Sequence, residues 1–303
     1  MTFLPSDEVA MAVAAGGAVV GLETSVIGQG LPYPRNLECV ERMDTAIRDA
    51  EAIPGWIGVV DGAVRVGLER SELERFAQPG AAIKAARRDV PVVVASGSLG
   101  ATTVSATIWA AHRVGIGVVA TGGIGGVHPG PRSDVSADLL ELARTPIVLI
   151  ASGPKSIVDP AATAEKLEEL GVALVGYGVD RLPFFLAREA PVELEHRVDT
   201  PDGAAAIARA HRSLGVGAAI VLCNPIASER ALDRDELLAA TARVESRMTE
   251  AGVAGKEVTP FLLRALAEET DGRSLDANLA LLQDNARLAA EVAVAISAAR
   301  SER

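Results

Sequence analysis

The chain has 303 residues, 49% of them hydrophobic, 23% charged and only 3% aromatic. That length and apolar share suit a large α/β core built from Val, Leu, Ile and Ala. A formal net charge of −11 argues against DNA or RNA as a partner, because an acidic chain repels a phosphate polymer. A single small phosphate needs only two or three local donors and is not excluded.

Asp7 and Glu8 near the start, with no basic stretch before them, make a poor secretory leader. No apolar run reaches the length of a membrane span. Cys39 and Cys223 give neither a metal spacing nor a disulfide framework. A cytoplasmic location is the expectation.

Short apolar runs at 18–23, 56–60, 90–96, 117–121, 146–152, 172–177 and 218–223 read as strands, mostly buried on both faces. Asp61-Gly62 suits a two-residue type I′ turn, so 56–68 reads as a hairpin. Asn36 is placed to cap a helix with Leu37, Val40, Met43 and Ile47 on one face. Further helices are expected after Gly100, with Thr102 or Thr103 at the start, near Ser136-Ala137-Asp138, at Pro160, and through most of the chain from Leu232 onward. Strands alternating with helices predict a three-layer α/β/α sandwich with a mostly parallel sheet and a helical C-terminal part. Nothing suggests a linker, so 1–303 reads as a single domain. The least regular stretch, 178–203, reads as a lid or an oligomer contact.

Ligands of open parallel sheets bind beyond the carboxyl ends of the strands. The chemically distinctive residues follow strands directly: Glu23, then Ser96-Gly97, then Thr121 with the glycines of TGGIGGVH, then Gly153-Pro154-Lys155. At a strand end Lys155 is a candidate amine nucleophile, which must be uncharged to attack an anomeric carbon. On spacing alone a lysine reaching for solvent is the commoner reading. Glu23 suits general-acid work, or an ordinary cap or ion pair. TGGIGGVH lets backbone N–H groups approach an anion, or forms a plain tight turn; it has neither the dinucleotide fingerprint nor a P-loop lysine.

Asp134 could hold a hard divalent cation that keeps most of its water, and Ser136 could donate to a phosphate at a helix start. Ser136 or Asp138 could as well be simple N-caps. Lys84, Arg87 and Arg88 make the densest positive cluster of the first half. Asn278 and Asn285 share a helix face, where an amide can meet a planar base or another helix.

In order along the chain, these signals resemble the pseudouridine-5′-phosphate glycosidase family, also called indigoidine synthase A-like. The matching blocks are GLETSVIGQGLPYPRN (21–36), IKAARRDVPVV (83–93), GATTVSAT (100–107), ATGGIGGVH (120–128), DVSADLLELA (134–143), PKSIVD (154–159), VALVGY (172–177), CNPI (223–226), GKEVTPFLL (255–263) and SLDANLALLQDNARLAAEVA (274–293). The resemblance implies an α/β/α sandwich, assembled as homotrimers, that reversibly cleaves the C–C glycosidic bond of pseudouridine 5′-phosphate to ribose 5-phosphate and uracil. It implies Lys155 as the nucleophile forming an imine with C1′ of the opened ribose, and Glu23 as the proton donor. Asp134 matches a metal ligand, usually for Mn²⁺. Lys84, Val104, Thr121, Ser136, Ala137 and Asp138 match substrate contacts, and Asn278 matches the amide near the base.

Two departures stand out. Gln29 occupies the place where the family usually has His, and the loop before Asp134 is shorter by two residues. The altered loop also admits a C-ribosyl synthase or glycosidase acting on another base. A non-catalytic sugar-phosphate sensor is the reading from a different class.

Overall fold

The computed structural model describes residues 3–129, 134–253 and 258–301. Loop residues 130–133, and residues 255–257 of the GKEVTPFLL block, lie outside the described residues.

The expected alternation of strand and helix is present. The main path of the sheet runs β1 (Phe3–Pro5), β4 (Ala63–Val66), β3 (Ile53–Val60), β2 (Val19–Glu23), β7 (Val118–Ala120), β8 (Val148–Ala151), β11 (Ile220–Cys223), β9 (Ala173–Tyr177) and β10 (His196–Val198). Pairing along this path is parallel except between β3 and β4. There Asp61 and Gly62 take positive φ (50° and 79°), as a type I′ turn requires, and Val60 pairs with Ala63. Two short strands branch off β3: β6 (Gly100–Thr102) pairs with it antiparallel, and β5 (Ile83–Ala85) runs parallel to β6.

Both faces of the sheet are covered, which is why its strands are apolar without alternation. Val20 and Leu22 of β2 face α2 (Arg35–Asp49), α8 (Pro201–Leu214) and α11 (Arg273–Ser301). Val19 faces the opposite layer, made of α1 (Asp7–Ala14), α5 (Val104–Arg113), α6 (Ala137–Leu142) and α7 (Pro160–Glu169). The C-terminal part is helical as expected, with α9 (Arg234–Glu250) and α10 (Val258–Glu269) preceding α11. Among the described residues no helix is long and apolar enough to cross a membrane.

Three expectations need correction. The run VPVVVAS is not a strand but helix α4 (Val90–Ser96), with Pro91 in its first turn. Gly97 ends it in the left-handed conformation, its N–H bonding the Val93 and Val94 carbonyls. Only Val90 and Val93 are buried in it, a helical spacing of three that outweighs the strand preference of a valine run. Ser96 and Gly97 therefore end no strand, and Lys84 sits within β5.

Asn36 does not cap α2. It lies inside the first turn, buried, and its Nδ2 donates to the carbonyls of Ile27 and Ala77, both at 3.0 Å. It ties the helix to the chain before it and to the end of α3 (Arg70–Ala77).

The centre of the 178–203 stretch is core rather than lid. Leu182, Phe184, Phe185, Leu186 and Ala187 are core residues, and the segment closes as edge strand β10. Its irregular course reflects burial without periodicity.

Candidate active site

The site is built on the carboxyl ends of three adjacent strands. Glu23 is the last residue of β2, Thr121 follows β7, and Gly153-Pro154-Lys155 follow β8. The loops after β7 and β8 are stitched together by backbone bonds. Ser152 N–H donates to Gly122 O at 2.9 Å, Ile124 N–H to Gly153 O at 3.1 Å, and Lys155 N–H to Ile124 O at 3.0 Å. The glycine-rich run then pairs with the segment entering α6, through Val127 with Val135 and Ser136 N–H on Gly126 O at 3.0 Å.

The glycines of TGGIGGVH are required by packing as well as by the turn. A Cβ on Gly125 would stand 2.3 Å from Ser136 Oγ. Gly153, at φ 77°, would place one 1.9 Å from the carbonyl oxygen of Pro183. No other residue lets the two loops approach so closely.

These loops open on a cavity of about 270 Å³, just under the range usual for small-molecule sites. Glu23 and Lys155 both line it, with Lys84 and Asn278. Asp134, Ser136, Ala137 and Asp138 also reach it. The side chains of Val104 and Thr121, expected as substrate contacts, are not on its wall. Val104 opens α5 and is buried in the core, where its neighbour Thr103 reaches the cavity instead. Thr121 is buried behind the wall and its hydroxyl donates to Glu23 Oε1.

Glu23 is 5% exposed, and each of its carboxylate oxygens has a hydroxyl partner: Thr121 on Oε1 and Ser25 on Oε2, the latter at 2.6 Å. Between them Thr24 turns inward and donates to Ile57 O at 2.7 Å, so that Ser25 is left at the cavity. Lys155 is half-buried across the same space.

Asp138 is already occupied. Its Oδ1 accepts from Ser105 N–H at 2.9 Å and its Oδ2 from Gly125 N–H at 3.0 Å, which joins α5, α6 and the glycine loop. Ser136 does cap α6, its Oγ accepting from Asp138 N–H at 3.2 Å, which leaves the hydroxyl hydrogen available to a ligand. Of the basic cluster, Arg87 turns away: its Nη1 lies 2.7 Å from both oxygens of Glu141, and its guanidinium sits over Trp109. Lys84 and Arg88 stay on the cavity.

Asn285 does not line the cavity. Its Nδ2 donates to Thr121 O (2.8 Å) and Ser152 Oγ (3.0 Å), and its Oδ1 accepts from Asn224 Nδ2 (2.9 Å). It pins α11 to the ends of β7, β8 and β11, so only Asn278 of the pair is free for a ligand.

Sequence reasoning missed several lining residues. Ser25 stands two positions after Glu23 and could have been found from that spacing. Phe185 comes from the irregular stretch and carried no signal. His128 lines the cavity, its imidazole held below the usual histidine range by burial and by the charges of Lys84 and Lys155, against the pull of Asp134 and the Ile157 carbonyl. Gln29 donates from Nε2 to Ala82 O at 3.0 Å, while its Oε1 is buried with no partner among the described residues.

Among the described residues no group of three or more His, Cys, Asp or Glu is arranged for a metal ion. Glu23 and Asp138 are engaged with protein donors, while Asp134 is exposed at the cavity rim. That donor set fits a hard cation that keeps most of its water, and no other kind of metal site.

The family model for indigoidine synthase A-like proteins matches residues 8–295. Over 293 residues the chain is 47% identical to a pseudouridine-5′-phosphate glycosidase of Herpetosiphon aurantiacus, covering 96% of this chain and 97% of that one. A protein of the same name from Roseobacter denitrificans is 45% identical, with 98% of each chain covered. Among solved structures, the prealnumycin C-glycosynthase AlnA in complex with ribulose 5-phosphate superimposes with a TM-score of 0.91 at 38% identity, covering 100% of this chain and 99% of that one. An indigoidine synthase A-like protein from Thermotoga maritima gives 0.90 at 39%, with 98% and 97% covered. Near-complete coverage at these identities shows that the chain belongs to the indigoidine synthase A-like family.

Proposed function

We propose that this chain is an enzyme that reversibly cleaves the C–C glycosidic bond of pseudouridine 5′-phosphate, giving ribose 5-phosphate and uracil through a Schiff base on Lys155. The observation that carries this reading is that Glu23 and Lys155, from different strand ends, line one cavity. Relatives above 40% identity that bear the glycosidase name support the substrate.

A C–C bond to a base has no heteroatom to leave on. The amine of Lys155 attacks C1′, the C1′–O4′ bond breaks, and O4′ takes a proton from Glu23. The new ammonium returns a proton to Glu23. The nitrogen lone pair then forms C1′=N⁺ as the C1′–C5 bond breaks; its electron pair stays on C5 of the base, which takes the proton of Glu23. Water adds to the iminium, releasing ribose 5-phosphate as its aldehyde, and the remaining proton goes back to Glu23. Lys84 and Ser136 hold the phosphate as a remote handle whose binding energy aligns the reacting atoms, and Asn278 faces the base.

Asp134 would hold a divalent cation, Mn²⁺ by the family resemblance, which when bound supplies positive charge beside the sugar phosphate. The whole chain works as one domain. We take it to act as a homo-oligomer, a trimer, in the cytoplasm; the resemblance supports the first, and two buried free thiols, Cys39 and Cys223, support a reducing compartment.

The test is uracil release from pseudouridine 5′-phosphate, which the Lys155→Ala variant should not perform; full turnover by that variant overturns the mechanism. One observation favours a second reading, a C-ribosyl synthase working on another base: the likeness to a solved C-glycosynthase. A panel of C-nucleotides, and of free bases with ribose 5-phosphate, separates the two.

A further inference from the structure

We infer that Ser25 is a catalytic proton relay, carrying the proton of Glu23 to the ring oxygen of the sugar. The inference rests on the reaction proposed above and concerns a residue to which that reaction assigns no part.

The carboxyl group of Glu23 presents two oxygens. Each accepts a hydrogen bond from a hydroxyl, Thr121 on Oε1 and Ser25 on Oε2. A carboxyl so placed offers acceptors only, yet a proton donor must carry a hydrogen on one oxygen. If that hydrogen is shared with one of the two hydroxyls, the hydroxyl turns from donor to acceptor, which it can do because it has both capacities. Thr121 is 1% exposed and does not line the cavity, so a hydrogen it turned away from Glu23 would point into protein. Ser25 is half-buried and on the cavity wall, so its rotated hydrogen points to the ligand.

The backbone favours the same assignment. Ser25 precedes the tight helical turn Val26–Gly30 in the position of a cap, yet its side chain makes no capping bond. Its hydroxyl is committed to Glu23 at 2.6 Å instead. As the C1′–O4′ bond breaks and its electron pair moves to O4′, the hydrogen of Ser25 passes to O4′. The proton on Glu23 Oε2 passes to Ser25 Oγ, leaving a carboxylate that keeps the Thr121 bond. Ser25 ends as it began, and no further reagent is consumed.

The experiment compares Ser25→Ala and Ser25→Thr with the unmodified protein in two assays, after thermal unfolding has shown all three folded. One assay is uracil release from pseudouridine 5′-phosphate. The other is the rate of borohydride trapping of ribose 5-phosphate on the protein, which also needs an opened ring but no base. Ser25→Ala should lower kcat by about 10²-fold or more, the usual weight of positioned acid–base catalysis, with KM changed by less than about threefold, and should slow trapping in parallel. Ser25→Thr, which keeps a hydroxyl, should restore most of both. A Ser25→Ala protein with kcat within about threefold of the original, or with KM raised and kcat held, overturns the relay. If the unmodified protein traps ribose 5-phosphate but releases no uracil, the base is misassigned and the trapping rates decide the relay. If it does neither, both the reaction and the relay fall.

Discussion

Glu23 and Lys155 stand at the ends of strands β2 and β8, separated in the sheet by β7, and Thr121 at the end of that middle strand grips Glu23 from behind the cavity wall. The acid is thus held by the strand between it and the amine. The strand order fixes the spacing of the backbones that carry the two side chains, since neighbouring strands keep a constant separation.

Thr121→Val tests that grip. The substitution keeps volume but leaves Glu23 Oε1 buried without its partner, at a cost of about 1–3 kcal/mol. If the same bond orients the acid in the reaction, kcat falls about 10- to 100-fold with little change in KM, each 1.36 kcal/mol being tenfold. Kinetics of uracil release, with chemical denaturation beside it, measure both effects. A variant with unchanged kcat would show that Glu23 is oriented by Ser25 alone.

Asp44 supplies a pH test of the scaffold. Trp56 Nε1 donates to its Oδ1 at 2.7 Å, yet burial outweighs that bond and pushes the carboxyl above the usual aspartate range. A carboxyl raised in the folded state contributes stability that is complete below the unfolded value, 3.8, and is lost as pH rises through the folded one. Asp44→Asn keeps an acceptor for Trp56 and removes the buried charge. The variant should melt higher than the original protein at pH 7, and the gap should close as pH is lowered through the folded pKa. A gap that stayed constant with pH would point to packing instead.

Asp134→Asn tests the cation site. With a single carboxylate supplied by the protein, loss of its charge should weaken Mn²⁺ binding by about tenfold or more, measured by the paramagnetic signal of free Mn²⁺ during titration. Unchanged binding would place the ion, if any binds, elsewhere.

Much of this molecule is written locally in its chain. The runs at 18–23, 146–152 and 218–223 read as buried strands because both faces of the sheet are covered, and Asp61-Gly62 encodes its own turn. That Glu23 and Lys155 share a cavity was legible because strand ends converge in a parallel sheet. What escaped depends on partners far away in sequence. The valine run 90–96 coils because only Val90 and Val93 find a core, and Asn36 is drawn inward by carbonyls at Ile27 and Ala77. The bonds that Ser105 and Gly125 make to Asp138 come from segments its own neighbourhood does not reveal. Phe185 reaches the cavity from a segment with no period to read.

The reaction proposed for this chain has the amine of Lys155 bond covalently to C1′ of a sugar phosphate. Borohydride reduction in the presence of ribose 5-phosphate, followed by peptide mass spectrometry, tests it most directly. One reduced sugar-phosphate adduct is expected, located on Lys155 and absent from Lys155→Ala. An adduct on Lys84 instead, or none on a protein that still releases uracil, would contradict it.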